Sequence, residues 1–480
     1  MSPGDFQALL PLLVLLAAAV VVMLETAYYR SHLVALALTL LALAGALASL
    51  PLVSAVAPRQ VTALVLIDSY ALFFMGLILS AALAVGLLAY GYLERGRGER
   101  EEFYVLLLLA TLGAVALVAS THFASFFLAL EVLSVSLYTL IGYVRLRENS
   151  VEAGVKYLIL AGVSAAFLLF GMALVYGEVG AMDFARLAAL SPGDGPFSLP
   201  VLLAGLAMIV VGFGFKLAVV PFHLWTPDVY QGAPAPVTAF VATVSKGAVF
   251  ALLLRYFAAV DIHSYTSLFT VFSVIAIASM LVGNLLALFQ TNVKRILAYS
   301  SISHLGYLLV AFLAAGPLAV MAVAFYLVSY FLATLGSFGV VGELSNPERD
   351  ADRIDDYAGL FWRRPWLAGV FTAMLLSLAG IPLTVGFIGK FFLVTAGLQA
   401  NLWWLLVVLA AASVVGLFYY LRVAVAMYLP LERSLAQPPA GPLSVGGGVV
   451  LGALSAITVW LGVYPTTLVQ VIQAFLIGSG

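Results

Sequence analysis

Apolar residues in this 480-residue chain do not alternate with polar ones but run on for about 20 positions at a time. The first such run, LLPLLVLLAAAVVVML, contains no polar side chain. Similar runs recur near 33 to 52, 66 to 92, 103 to 120, 123 to 144, 153 to 178, 200 to 229, 235 to 259, 266 to 289, 294 to 313, 317 to 343, 366 to 398, 402 to 428 and 445 to 475. At about 1.5 Å of rise per residue, 20 residues cross the hydrocarbon core of a bilayer, whereas barrel strands would alternate over about ten. The pattern predicts an all-α integral membrane protein of about 14 transmembrane helices. The Pro/Gly-rich pieces SPGDGPFSLP (191 to 200) and QPPAGPLS (437 to 444) read as connectors, and no soluble domain is expected. The N-terminus has no basic segment and carries Asp5 ahead of its apolar run, so it reads as a retained first span that starts on the outer, periplasmic side.

Charge supports this count. With the N-terminus outside, the inner loops hold Arg30, Arg95, Arg97, Arg100, Arg145, Arg147, Lys156, Lys294, Arg295, Arg349, Arg353, Arg363, Arg364, Arg422 and Arg433, and the outer ones only Arg59, Arg186 and Arg255. A wrong number of spans would scramble that asymmetry. Composition agrees: 64% of residues are hydrophobic and 9% charged, more apolar side chain than a soluble fold of this length can hide. A net charge of −1 gives no ground for a nucleic-acid partner. The absence of cysteine excludes disulfides and cysteine-held zinc or iron–sulfur clusters in this chain. The five histidines are too scattered to suggest a metal site. Gly389-Lys390 lacks the rest of a phosphate-binding loop, and GFGFK is not a dinucleotide fingerprint.

The informative residues are charges placed where lipid or protein interior should surround them. Lys216, Lys246 and Lys390 fall within spans, as do Glu131 and His304. Such groups cost a few kcal/mol or more and mark either pairs or function. Glu131, with Ser134 and Tyr138 three and seven residues on, is expected to face the bundle interior and to pair with Lys216. Pro221 removes a backbone donor and obstructs the carbonyl of Leu217, which predicts a helix break about one turn after Lys216. LSLAGIPLTVGFIGKFF, with Pro382, Gly380, Gly386 and Gly389, predicts a second break near Lys390. Lys216 to Lys390 and Glu131 to His304 are separated by nearly the same interval. That suggests an internal repeat: a three-helix segment over 1–102, five-helix units over 103–259 and 260–430 in inverted orientation, and a last helix over 431–480. Each signal also has a structural reading. Glu131 and Lys216 would form a fixed ion pair, Lys246 and Lys390 would reach to an interface, and Lys294 with Arg295 would anchor the inner side. His304 would be a satisfied core histidine, His223 and Asp228 would order the turn, and Trp403-Trp404 would belong to an interfacial belt.

The runs GFKLAVVPFHLWTPDVYQGAPAPVTAFVATVSKGAVFALLLRYF, NVKRILAYSSISHLGYLL and GIPLTVGFIGKFF resemble the antiporter-like membrane subunits of respiratory complex I, the NADH:quinone oxidoreductase, and most of all subunit N. The likeness extends over essentially the whole chain. It implies a glutamate–lysine pair at Glu131 and Lys216, a central relay lysine at Lys246, and a distal broken-helix lysine at Lys390. The sister subunit M usually carries glutamate at that last position, and subunit L is longer. The resemblance implies no cofactor in this chain. FMN, iron–sulfur clusters and quinone would lie in partner subunits, with sister antiporter-like subunits alongside in the inner membrane. The expected function is proton translocation through a relay of Glu131, Lys216, Lys246, His304 and Lys390 within a redox-driven translocase. The alternatives are a subunit of a multisubunit sodium/proton antiporter and a scaffold without a channel of its own. A buried lysine suits proton transfer because desolvation and a nearby carboxylate act on its proton affinity in opposite directions. At about 4 Å and an effective dielectric near 20 the second effect is worth roughly 4 kcal/mol.

Overall fold

The computed structural model describes residues 2–96, 98–188, 198–260, 262–430 and 443–477. Arg97, Arg433 and most of the two Pro/Gly-rich connectors lie outside them. A short α1 (Pro3–Ala8), capped by Ser2, leads into α2 (Leu10–Tyr28) and α3 (His32–Ser54). A small antiparallel hairpin, β1 (Arg59–Val61) and β2 (Val65–Ile67), then precedes α4 (Ser69–Arg95), whose N-cap is Asp68. This hairpin falls in a stretch that hydropathy reads only as a loop.

Next come α5 (Glu102–Val118), α6 (Phe123–Ile141), α7 (Glu148–Val179), a short α8 (Phe184–Ala188), an interrupted passage α9 (Leu199–Leu217) and α10 (Trp225–Gly232), and α11 (Ala235–Phe240), which continues through a π turn at Val241–Ser245 into α12 (Lys246–Ala259). The same order then recurs. It comprises α13 (Thr266–Leu288), α14 (Val293–Ala314), α15 (Gly316–Leu344), a short α16 (Leu360–Arg363), an interrupted passage α17 (Pro365–Ala379) and α18 (Val385–Gln399), and α19 (Trp403–Tyr428). The chain ends with α20 (Val445–Val463) and α21 (Thr466–Ile472), so the last apolar run is broken at Pro465 rather than continuous. Twelve of the described helices are long and apolar enough to cross a membrane by themselves; α5 and the α17–α18 passage bring the crossings to fourteen.

The recurrence extends to single hydrogen bonds. The Phe123 amide donates to Met182 and the Phe184 amide to Thr121; the Val293 amide donates to Asp352 and the Ile354 amide to Thr291. Each residue of the second set lies 170 positions after its counterpart. Gly113 lies against the backbones of Ala129 and Leu133, and Gly283 against those of Tyr299 and Ser303, again 170 apart. At both crossings a methyl group would sit within 3 Å of backbone, so only glycine lets the helices approach, as small residues do in membranes where no aqueous hydrophobic effect drives packing. The interval that aligns the backbones is therefore 170, not the 173 or 174 read from charged residues. It pairs Ser134 with His304 and Glu131 with Ser301.

α12, α14 and α15 are the most enclosed passages, while α2, α3, α7 and α20 turn long apolar faces outward. The polar groups of the next section cluster around α14.

Candidate functional site

Both interrupted passages end their first half in the same way. Ala218 and Gly380 are left-handed, with φ of 60° and 83°, and the amides that follow close a six-residue loop, Val219 to Gly214 and Ile381 to Leu376. α9 ends at Leu217, so the break follows Lys216 immediately rather than one turn later. Lys216 sits in the last turn of its half-helix. Lys390 belongs to the second half of its passage, yet its Nζ reaches back to the carbonyl of Ala379, the final residue of α17, at 2.7 Å. The Lys390 ammonium thus meets the negative end of α17, where carbonyls lack intrahelical partners, and Lys216 itself belongs to the last turn of α9. The different order of lysine and proline along the sequence hides this shared placement.

Lys216 is buried and donates to Ser134 Oγ at 2.6 Å, with its Nζ 5.5 Å from the centre of the Tyr157 ring. Among the described residues no contact within 4 Å joins it to Glu131, and the Oε1 of Glu131 is buried without a hydrogen bond. One turn separates Glu131 from Ser134. Glu131 is half-buried on α6, with Leu130 and Ser134 buried on one side of it and Leu128 and Val135 exposed on the other. The expected pair is replaced by a lysine–serine contact with the carboxylate one turn away.

Lys246 opens α12 directly after the π turn, whose extra residue shifts the phase of the helix at that point. It is 1% exposed and donates to Ser301 Oγ at 2.7 Å. Ser301 also bonds Tyr330 Oη at 2.6 Å, and Tyr230 packs its ring 5.3 Å from the ammonium. One turn along α14, His304 is held between Tyr326 Oη at 2.5 Å on Nδ1 and Tyr420 Oη at 3.0 Å on Nε2, and Tyr420 also bonds Ser300. A further turn on, Tyr307 presents its ring 5.4 Å from Lys390 Nζ, which also donates to Ser413 Oγ at 2.7 Å. Asn284 joins Tyr307 to Tyr419.

Ser301, His304 and Tyr307 therefore form one stripe on α14, with Lys246 at one end and Lys390 at the other. None of the three lysines Lys216, Lys246 and Lys390 has a carboxylate within 4 Å among the described residues, and neither Lys246 nor Lys390 reaches out to an interface. The sequence reading found the ionisable groups and missed Tyr230, Tyr326, Tyr330, Tyr419 and Tyr420. No hydrogen bond among the described residues links the Lys216–Ser134 contact to the Lys246–Ser301 contact.

Lys294 is more than an anchor at the membrane face. It is fully buried and donates to Asp350 at 2.6 Å and to the Ala233 carbonyl at 2.6 Å. Asp228 orders the segment after the first break by pairing with Lys156 and Arg295 at 3.0 and 2.8 Å. Trp403 and Trp404 are exposed, as a belt requires. Burial pushes the Asp350 carboxyl up, but Lys294 and Arg147 outweigh it and hold the group below the usual carboxylate range. Its folded value then lies below its unfolded value of about 3.9, so its contribution to stability is complete above about pH 5 and is lost as pH falls through the folded value. The melting temperature of the detergent-solubilised protein is expected to fall more between pH 5 and 3 than that of Asp350→Asn, and equal slopes would contradict this.

A family model described as NADH:quinone oxidoreductase/Mrp antiporter, TM, matches residues 120–416. Among solved structures, a chain of respiratory complex I from Thermus thermophilus is 34% identical, with a TM-score of 0.82 over 96% of this chain and 98% of that one. A chain of the membrane-bound sulfane sulfur reductase, an archaeal respiratory membrane complex, is 25% identical with a TM-score of 0.86 over 98% and 96%. A chain of the Mrp complex from Dietzia sp. shares the fold at 23% identity, with a TM-score of 0.84 over 99% and 97%.

Proposed function

Since this chain belongs to the NADH:quinone oxidoreductase/Mrp antiporter membrane family, we propose that it is the subunit N type of antiporter-like subunit in a redox-driven NADH:quinone oxidoreductase, moving protons across the membrane. The observation that carries this reading is the α14 stripe, a succession of hydroxyls and one imidazole that runs from Lys246 to Lys390, with no carboxylate among the described residues in ion-pair contact at either end. A lysine with a counter-ion is a strut. A buried lysine that meets only hydroxyls, a carbonyl and aromatic faces is a group whose charge has to come and go.

In this reading, Lys216 takes up or releases a proton as its distance from Glu131 changes, and water at the α9–α10 break carries the proton to Lys246. From there Ser301, His304 and the surrounding tyrosines pass it to Lys390. The two five-helix units are inverted copies over 103–259 and 260–430, and the basic loops face the interior of the cell. This chain supplies the channel, and FMN, iron–sulfur clusters and quinone are held by its partners.

The higher identity to the complex I chain supports the redox-coupled reading over the sodium/proton antiporter one. Purification of the chain in mild detergent tests this. Bound flavin and NADH:quinone reductase activity in the same complex are expected. A complex without flavin that exchanges sodium for protons in liposomes would replace this reading with the antiporter one.

A further inference from the structure

A buried charge cluster lies beside the α14 stripe and takes no part in it. Asp350 Oδ2 accepts from Lys294 Nζ at 2.6 Å, and its Oδ1 accepts from Arg147 at 2.8 Å and from Tyr92 Oη at 2.7 Å. These groups come from four separate parts of the chain: α4, the turn before α7, the first turn of α14 and the loop after α15. Lys294 also donates to the carbonyl of Ala233, the cap residue of α10, so it joins the end of that half-helix to the start of α14. Its neighbour Arg295 grips α10 a second time, through Asp228 at 2.8 Å and Gln231 at 3.0 Å.

These two joints fix the relation between α10, which carries Tyr230, and α14, which carries Ser301 two turns beyond Lys294. Tyr230 and Ser301 are the two groups that meet the Lys246 ammonium. We propose that Asp350 is a positioning residue for the relay: by holding Lys294 in its bonded place it sets the approach of Tyr230 and Ser301 to Lys246. The inference rests on the relay reading given above. Its physical basis is that Lys294 has no exposure to water. Without Asp350 its ammonium would be buried with no carboxylate to bond and would have to shift, loosening its hold on the Ala233 carbonyl. A cavity of about 870 Å³ lies against the cluster and is lined by Tyr92, Arg147, Asn346 and Pro347. Arg147 donates to the carbonyls of both Asn346 and Pro347, so the loop leading to Asp350 is tied to the same cluster from the side of the basic loops.

The test uses membrane vesicles that contain the assembled complex, with protons moved per electron as the readout and Lys246→Met as the reference. Asp350→Asn is expected to assemble and to keep its electron-transfer rate, while its proton ratio falls toward that of Lys246→Met. Asp350→Glu, which restores the charge, is expected to recover most of the loss. A wild-type ratio in assembled Asp350→Asn, alongside a deficient Lys246→Met, overturns the inference and leaves the relay reading standing. A deficit that Asp350→Glu does not lessen points to packing rather than charge and also overturns it. A wild-type ratio in Lys246→Met removes the relay reading and this inference with it. Should Asp350→Asn fail to assemble, Lys294→Gln, which keeps a donor but not the charge, is measured in its place and judged by the same ratios.

Discussion

On the proposed relay, exchange of Lys246 for methionine is expected to abolish proton movement through this chain while leaving it folded and inserted. Methionine has nearly the length and volume of lysine without the charge, and the site is already enclosed by Ser301, the Tyr230 ring and the π turn. An ammonium with no carboxylate in contact is a cost to the fold, so its removal is expected to leave stability unchanged or raise it by about 1–4 kcal/mol. On the same reading, loss of Lys246 is expected to slow transfer along the stripe by about two orders of magnitude, in line with the removal of a positioned acid–base group. The opposite signs make the experiment decisive. A scaffold role predicts weaker assembly with transport intact. Melting temperature and proton uptake, measured on the same vesicle preparation, separate the two, and full uptake in the variant would contradict the relay.

A second large effect is expected on stability. Gly386 lies in the first turn of α18, and a methyl group there would come within 1.8 Å of the Ser377 carbonyl oxygen on α17. The obstacle is backbone, and the Gly386 amide also donates to Ser377 Oγ at 3.2 Å, so neither half of the passage has room to retreat. Gly386→Ala is expected to cost about 3 kcal/mol or more, at the upper end of overpacking penalties. A sharply lower melting temperature and a several-fold lower amount of chain in the membrane would register this. Gly369→Ala, where the added methyl meets nothing within 4 Å, serves as the control and is expected to be neutral. Equal behaviour of the two variants would mean that the halves of the second passage are not packed as described.

Hydropathy makes the membrane crossings legible because the bilayer imposes a length on each helix and a satisfied backbone within it. The two breaks are legible because Pro221 and Pro382 lack the amide that helical hydrogen bonding needs and the glycines around Pro382 lower the cost of leaving the helix. The placement of Lys216, Lys246, Lys390 and His304 as enclosed polar groups follows from the rarity of charge in such runs. Other features are settled by packing, which no single segment encodes. The contact of Lys216 with Ser134 rather than directly with Glu131 depends on which face of α6 meets its neighbours. The tyrosines around His304 come from α15 and α19, far off in sequence, and tyrosine in an apolar run gives no signal of its own. Lys294 reads as an anchor because it stands beside Arg295 at the start of a span; only the folded loop after α15 brings Asp350 to it. The charged residues suggest intervals of 174 and 173, whereas the matching amide bonds and glycine contacts lie 170 residues apart.

The paired amide bonds that recur 170 residues apart join the turn before α6 to the segment after α7, and the turn before α14 to the segment after α15. Helices fastened in this way form a stiff frame that resists bending. The α9–α10 and α17–α18 passages stand outside those fastenings, and each is already divided into two short rods. Any rearrangement that accompanies a transport cycle would therefore concentrate at these two joints, and a crosslink across either one should stall the protein more readily than one placed inside a frame.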